Sequence, residues 1–253
     1  MKNNFTIQVK DISEIKKVIN NQVLIRTAYR NEDKKTDSGI ILIAGTETDW
    51  RPAEHTNRIS EVILAPKKLY FSNDPREHDS MPWDTDIEIQ RGDMVWHDFL
   101  AVHNCPVVEC ENEPDEEYKI ISYFDLYVAL RGNSVIPLNG YCLCEEVREE
   151  RLSDMQVTEP KVDKRFGKVA YLGMPNREYR YDKYSVNKAV QTNYYPNDPV
   201  PTDEVDVSVG DVFMKRRADI HVMLESDDHA RFDGDKLFFV TQRKDMYGVM
   251  QEL

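Results

Sequence analysis

Apolar and polar residues alternate along most of this chain. Phe5, Ile7 and Val9 alternate with polar neighbours, and Val23, Ile25 and Thr27 repeat the pattern. The runs Ile59 to Leu64, Met94 to Trp96, Ile120 to Phe124 and Leu126 to Leu130 are short and rich in branched or aromatic side chains. The second half adds Tyr141 to Val147, Val169 to Leu172, Val212 to Met214, Ile220 to Leu224 and Leu237 to Val240. Such runs, bounded by Gly, Asn, Asp and Pro, predict strands. One stretch has helical spacing. Ile12, Ile15, Val18 and Ile19, with Asp11 as N-cap, predict a helix over 11–19. It is too short to be stable alone. Many short strands with frequent turns predict an all-β fold of small barrels or sandwiches.

The pattern recurs. Arg91-Gly92-Asp93-Met94-Val95 returns as Val209-Gly210-Asp211-Val212-Phe213, 118 residues later. At the same offset Val23-Leu24-Ile25 falls on Tyr141-Cys142-Leu143, and Ile120-Ile121 on Phe238-Phe239. Asp125-Leu126-Tyr127 resembles Asp245-Met246-Tyr247, two residues out of step, and Arg58 to Val62 resembles Arg165 to Val169 at an offset of 107. Two copies of one all-β domain explain this, joined where Gly132, Asn133, Ser134 and Pro137 supply turn chemistry. The expected division is an N-terminal extension over 1–17, a first domain over 18–132 and a second over 133–253.

Composition narrows the partners. The 253 residues carry 33 basic and 46 acidic side chains, a net charge of −13. With no clustered Lys and Arg, neither nucleic acid nor an anionic membrane surface is an expected partner. There is no apolar run of membrane-spanning length and no signal-like apolar core after Met1, so the expected location is cytoplasmic. Cys105 with Cys110, and Cys142 with Cys144, lack the spacing of a zinc knuckle or redox dithiol and read as small buried hydrophobes. On a strand, Cys142 and Cys144 share a face.

In order, the first copy has Val23-Leu24-Ile25-Arg26, a charged stretch ending in Ser38-Gly39-Ile40-Ile41-Leu42, then Ile59-Ser60-Glu61-Val62-Ile63. Ile89-Gln90-Arg91-Gly92-Asp93-Met94-Val95 follows, then an acidic turn and Asp125-Leu126-Tyr127-Val128. This order resembles the chaperonin-10 family, the GroES co-chaperonins. The resemblance implies two tandem GroES-like small β-barrels with long loop insertions. It also implies a non-catalytic protein that caps a GroEL-type chaperonin ring and assists folding, working as a homo-oligomer without cofactor or metal. Its partner-binding residues would be Gly39, Ile40, Ile41 and Leu42. Burying three such apolar side chains contributes roughly 1.5–3 kcal/mol each, while ordering the polar stretch Arg30 to Gly39 costs about 1–2 kcal/mol per residue. Each loop would therefore bind weakly, and a ring of loops tightly. Ile40 to Ile43 also reads as a core strand after a loop. An alternative is a structural or interaction protein reusing the same barrel in a bacterial or viral assembly.

The chain departs from that family's pattern in three places. Ser60 stands where the second copy keeps Gly167. The second loop offers Met155-Gln156-Val157 with no glycine before it, so the first copy alone is expected to touch a chaperonin. Both copies carry long insertions, at 65–86 and 173–206, the second rich in Tyr and Pro.

Other constellations are weaker. Glu109, Glu111, Glu113, Asp115, Glu116 and Glu117 suit a solvated hairpin tip better than a calcium site, since EF-hand spacing is absent. Trp96-His97-Asp98 with His103 reads as a strand end on a wet surface, and the second copy has Lys215 there. No phosphate-loop, zinc-protease or serine-hydrolase motif occurs, nor the Gly-rich turn of a dinucleotide fold, and no enzyme is expected.

Overall fold

The computed structural model describes residues 5–27, 34–35, 41–42, 59–69, 86–148, 161–174, 207–215, 222–224 and 238–250. Its strands are β1 (Thr6–Val9), β2 (Gln22–Thr27), β3 (Lys34–Lys35), β4 (Ile41–Leu42), β5 (Ile59–Leu64) and β6 (Met94–His97). A short helix, α1 (Phe99–Asn104), precedes β7 (Val107–Cys110), β8 (Glu117–Ser122), β9 (Leu126–Arg131) and β10 (Ser134–Pro137). Then come β11 (Tyr141–Arg148), β12 (Val162–Leu172), β13 (Val212–Lys215), β14 (Val222–Leu224), β15 (Phe238–Gln242) and β16 (Met246–Val249). The chain forms two compact units, Met1–Tyr70 with Ile89–Gly132, and Phe71–Glu88 with Asn133–Leu253.

One sheet runs β1-β7-β8-β2-β5-β6-β9-β10 and another β14-β15-β11-β12-β13-β16; β3 and β4 pair separately. The run β7-β8-β2-β5-β6-β9 repeats strand for strand as β14-β15-β11-β12-β13-β16. Both orders are linear, and among the described residues the end strands of neither sheet pair with each other. This corrects the expectation of two GroES-like barrels: the all-β class holds, but the sheets are open. Closure needs the first and last strands to meet with a fixed stagger, a long-range condition that local alternation does not encode.

The repeated Gly-Asp pair has a local physical cause. Gly92 and Gly210 sit at φ +87° and +97°, a region open to glycine and costly for other residues. The Asp93 carboxylate accepts the Gln90 amide at 2.8 Å, and Asp211 accepts that of Ser208 at 2.7 Å. In each turn the glycine N–H donates to the carbonyl of Val62 or Val169 at 2.8 Å, and the aspartate carbonyl accepts from the same valine at 2.9 Å. The motif that carried the family resemblance is thus a turn that seats β6 on β5 and β13 on β12.

The pairing registers also correct the repeat alignment. Ile25 faces Val62 and Cys144 faces Val169, so Ile25 corresponds to Cys144, not Leu143. Leu24 faces Ile120 and Leu143 faces Val240, so Ile120 corresponds to Val240, not Phe238.

In the first unit Val23, Leu24 and Ile25 are all fully buried, so β2 is covered on both faces. One face is a cluster of Leu24, Val108, Cys110 and Tyr118, against which Ile7, Val9, Ile12, Ile15 and Val18 pack. The expected helix over 11–19 is a single 3-10 turn, Ile12–Glu14, with the Asp11 carboxylate accepting the Ser13 amide at 2.8 Å. A nine-residue helix rich in β-branched residues gains little from its own hydrogen bonds; Ile12, Ile15 and Val18 lie against the sheet instead, while Ile19 is exposed. In the second unit Cys142 and Cys144 share one cluster with Val169, Phe213 and Phe239, as strand parity requires. All four cysteines are free and buried.

Gly167 explains one difference between the copies. A Cβ on it would stand 2.6 Å from Phe239 Cζ and 2.8 Å from Phe213 Cζ. The first unit has Val95 and Lys119 at the matching register positions, which leaves room for Ser60. Gly167→Ala is therefore expected to destabilise the second unit by about 1–3 kcal/mol through overpacking, read from the urea midpoint.

Candidate functional site

The strongest buried polar constellation lies at the end of β6 and its counterpart on β13. Ser60 on β5 faces Val95, and Gly167 on β12 faces Phe213. Two residues further along β6 and β13 come His97 and Lys215. Ser60 Oγ lies 2.8 Å from His97 Nε2. Both residues are 1% exposed, so His97 is a core residue and not the wet strand end expected from sequence. A hydroxyl against an imidazole is the geometry of an activated nucleophile, but this pair is sealed from solvent. Its physical work is mutual satisfaction of two buried polar groups. Ser60→Ala is expected to cost about 1–2 kcal/mol by leaving the imidazole a partner short, measured by urea unfolding.

The second unit fills the same place differently. Lys215 Nζ sits 3.7 Å from the centroid of the Phe239 ring, an ammonium on an aromatic face. Burial brings its pKa down to about 8, resisted by Cys144, Glu146 and Asp163 and assisted by Lys164. Below about pH 8 the lysine is charged in both folded and unfolded chains. Between about 8 and its usual 10.5 the unfolded chain binds more protons, so stability rises with pH across that window. The Cys144 thiol, pushed up by burial, pulls the opposite way above the ordinary thiol range. Subtracting the profile of Lys215→Met from that of the wild type is expected to leave a rise between pH 8 and 10.5. A flat difference would contradict it.

A second polar group surrounds α1. The Asp98 carboxylate caps the helix by accepting the Ala101 amide at 2.8 Å and also accepts the Tyr127 hydroxyl at 2.9 Å. Burial, then Asp98, raises the Asp125 carboxyl. Burial, then Asp125, pushes the Cys105 thiol up to about 12, against the pull of Lys119. A thiol so held is protonated at neutral pH and a poor nucleophile.

The acidic residues from 109 to 117 follow the β7–β8 hairpin. Glu113 accepts a hydrogen bond from Tyr118, Glu117 accepts one from Thr27 and pairs with Lys119, and Glu109 accepts one from Gln8. Among the described residues no group of three or more His, Cys, Asp or Glu is placed to hold a metal ion.

Of the sequence-derived contact residues, Ile41 and Leu42 form β4, opposite Lys35 and Lys34 of β3. Gly39 and Ile40 lie outside the described residues, as do Met155 to Val157 and most of both insertions.

The surface feature that sequence reasoning missed is on the second sheet. Met214 on β13 is 41% exposed, and Tyr247 and Val249 on β16 are 65% and 48% exposed. Among the described residues strand β16 is last in its sheet, and it carries no charged residue. Its one sequence signal was the uncharged run Met246 to Val249. Among the described residues no helix is long and apolar enough to cross a membrane.

In comparisons with known proteins, no family model matches the chain and no curated protein matches it. With open sheets in place of barrels, the resemblance to the chaperonin-10 family falls. The readings that rested on it, capping of a GroEL-type ring and a homo-oligomeric ring of mobile loops, fall with it.

Proposed function

We propose that the chain is a non-catalytic interaction protein, a scaffold of two open sheets that receives a partner polypeptide at the β13–β16 edge. The observation behind this is the coincidence of an uncharged edge strand with exposed Met214, Tyr247 and Val249. Bare edge strands are normally blunted with charge, proline or cover, because their free backbone groups invite another chain. The best-placed buried polar pair, Ser60 with His97, is sealed, and its counterpart on the second sheet is Gly167 with Lys215. The chemistry at that position therefore varies while the strand order stays. The free thiols Cys105, Cys110, Cys142 and Cys144 suit a reducing compartment such as the cytoplasm.

The test is selection from a displayed library of random peptides on immobilised full-length protein. Enriched peptides are expected to bind the wild type and to lose binding to Tyr247→Lys. A selection that enriches nothing, or peptides indifferent to that substitution, rejects the reading.

A further inference from the structure

We infer that the partner segment received by the second sheet is acidic and aromatic by turns, a carboxylate–aromatic–carboxylate stretch that lies on the outer face of β12 and β13. This rests on the proposed interaction function and names the chemistry of its partner.

Strand parity builds the face. On β12, Gly167 faces the Phe213 and Phe239 rings and Val169 lies in the core cluster. Lys164, Phe166 and Lys168 therefore take the opposite side. Phe166 lies opposite Met214 on β13, and Met214 lies opposite Gly248 on β16. Residues directly opposite in an antiparallel pair share a face. One row across three strands is thus an aromatic ring, a thioether and bare backbone. Met214 and Gly248 are exposed, and a Cβ on Gly248 would meet nothing within 4 Å. The glycine leaves a notch beside Met214 that an apolar side chain of a partner can enter.

Charge frames this row. Lys164 and Lys168 are exposed and stand two residues to either side of Phe166, roughly 6.5–7 Å away along the strand. The acid of β12, Asp163, is gripped by Arg165, whose Nη2 lies 2.6 Å from Oδ2. The same guanidinium has its carbon 5.4 Å from the centroid of the Phe166 ring. Lys168 stands between Glu145 on β11 and Val212 on β13. In a chain of net charge −13, two exposed lysines bracketing an apolar row reverse the prevailing sign. A long polyanion such as nucleic acid would be repelled by the rest of the surface, whereas a short segment with two carboxylates is complementary to this spot alone. The aromatic and thioether groups supply the contacts that polypeptide interfaces favour.

The experiment uses the full chain and a fluorescein-labelled peptide of sequence Gly-Glu-Ser-Phe-Ser-Glu-Gly, read by fluorescence anisotropy. Its charged and aromatic residues, two apart, match the spacing of Lys164, Phe166 and Lys168. Saturable binding is expected, weakened about tenfold by Lys164→Glu combined with Lys168→Glu, and about tenfold by lysine in place of both peptide glutamates. Alanine in place of the peptide's phenylalanine should weaken it several-fold. The doubly substituted protein should bind the lysine peptide more tightly than the wild type does, a gain that only a folded protein can show. Absence of binding, equal affinity in any of the three weakened cases, or no gain for the exchanged pair would overturn the inference. A thymidine decamer bound as tightly through the same lysines would make the occupant a nucleic acid and overturn the assignment to a peptide. If library-selected peptides depended on Tyr247 but not on these lysines, the interaction function would stand and this inference would fall.

Discussion

Phe239→Ala is expected to lower the stability of the second unit by about 3–5 kcal/mol, the cost of emptying a large buried aromatic site. Phe239 is fully buried and clusters with Cys142, Cys144, Val169 and Phe213. Its ring also carries the Lys215 ammonium on one face, so its loss removes a cation–π contact in addition to opening a cavity. The void would border Gly167, which has no side chain to fill it. This makes a second substitution informative. Gly167→Ala overpacks the wild type because its Cβ would meet the tips of the two rings, but once the Phe239 ring is gone part of that space is open. In a double-mutant cycle the two changes together should cost less than the sum of the singles, by about 1 kcal/mol or more. Strict additivity in urea unfolding would show that the ring and the glycine do not share space.

Arg131→Met is expected to cost the first unit about 2–4 kcal/mol, most of it from an orphaned buried charge. Asp93 has a side chain only 2% exposed, and Arg131 grips it with two bonds, Nε to Oδ1 at 2.9 Å and Nη2 to Oδ2 at 2.7 Å. Removing the guanidinium leaves a buried carboxylate with the Gln90 amide and little else to balance its charge. Breaking a buried pair in this way is costly, while replacing both partners is often nearly neutral. The loss falls below that of a fully buried pair because the Arg131 side chain is 38% exposed and water reaches the site. Arg131→Met combined with Asp93→Asn should therefore recover most of the loss. The matching Asp211→Asn in the second unit should cost under about 1 kcal/mol, since that turn lies at the surface. A first-unit double variant no more stable than Arg131→Met would refute the charge argument.

Strand existence was legible from sequence because it is local. The runs at Ile59, Met94, Ile120, Leu126, Tyr141 and Val212 all carry strands. The duplicated Gly-Asp turn was legible too, since its glycine conformation and carboxylate bond depend on a few neighbouring residues. What failed was everything that depends on distant partners. A constant offset slipped at β2 and β11 because loops of unequal length separate matched strands. His97 looked exposed because nothing near it in sequence announces Ser60 on the adjacent strand. The family resemblance was drawn from turn and strand signals that any antiparallel sheet uses, and such signals do not decide whether the outer strands meet. The β16 edge was hidden for the same reason, since an edge strand differs from an inner one by a neighbour that is absent from its own sequence.

The repeated strand order has a consequence for biosynthesis. Strand β2 pairs with β5 on one side and with β8 on the other, matching Gln22 with Ser122. On a ribosome, β2 therefore emerges long before its second neighbour and waits on the order of 5–20 s, given translation at about 5–20 residues per second. Strand β11, its structural double, is made after Ser122. The first sheet thus has all of its inner partners before the look-alike strand leaves the exit tunnel. Vectorial synthesis keeps the copies from exchanging strands. Dilution from denaturant offers β8 both β2 and β11 at once, so refolding in vitro should give a slower and lower-yielding recovery than cell-free translation of the same chain.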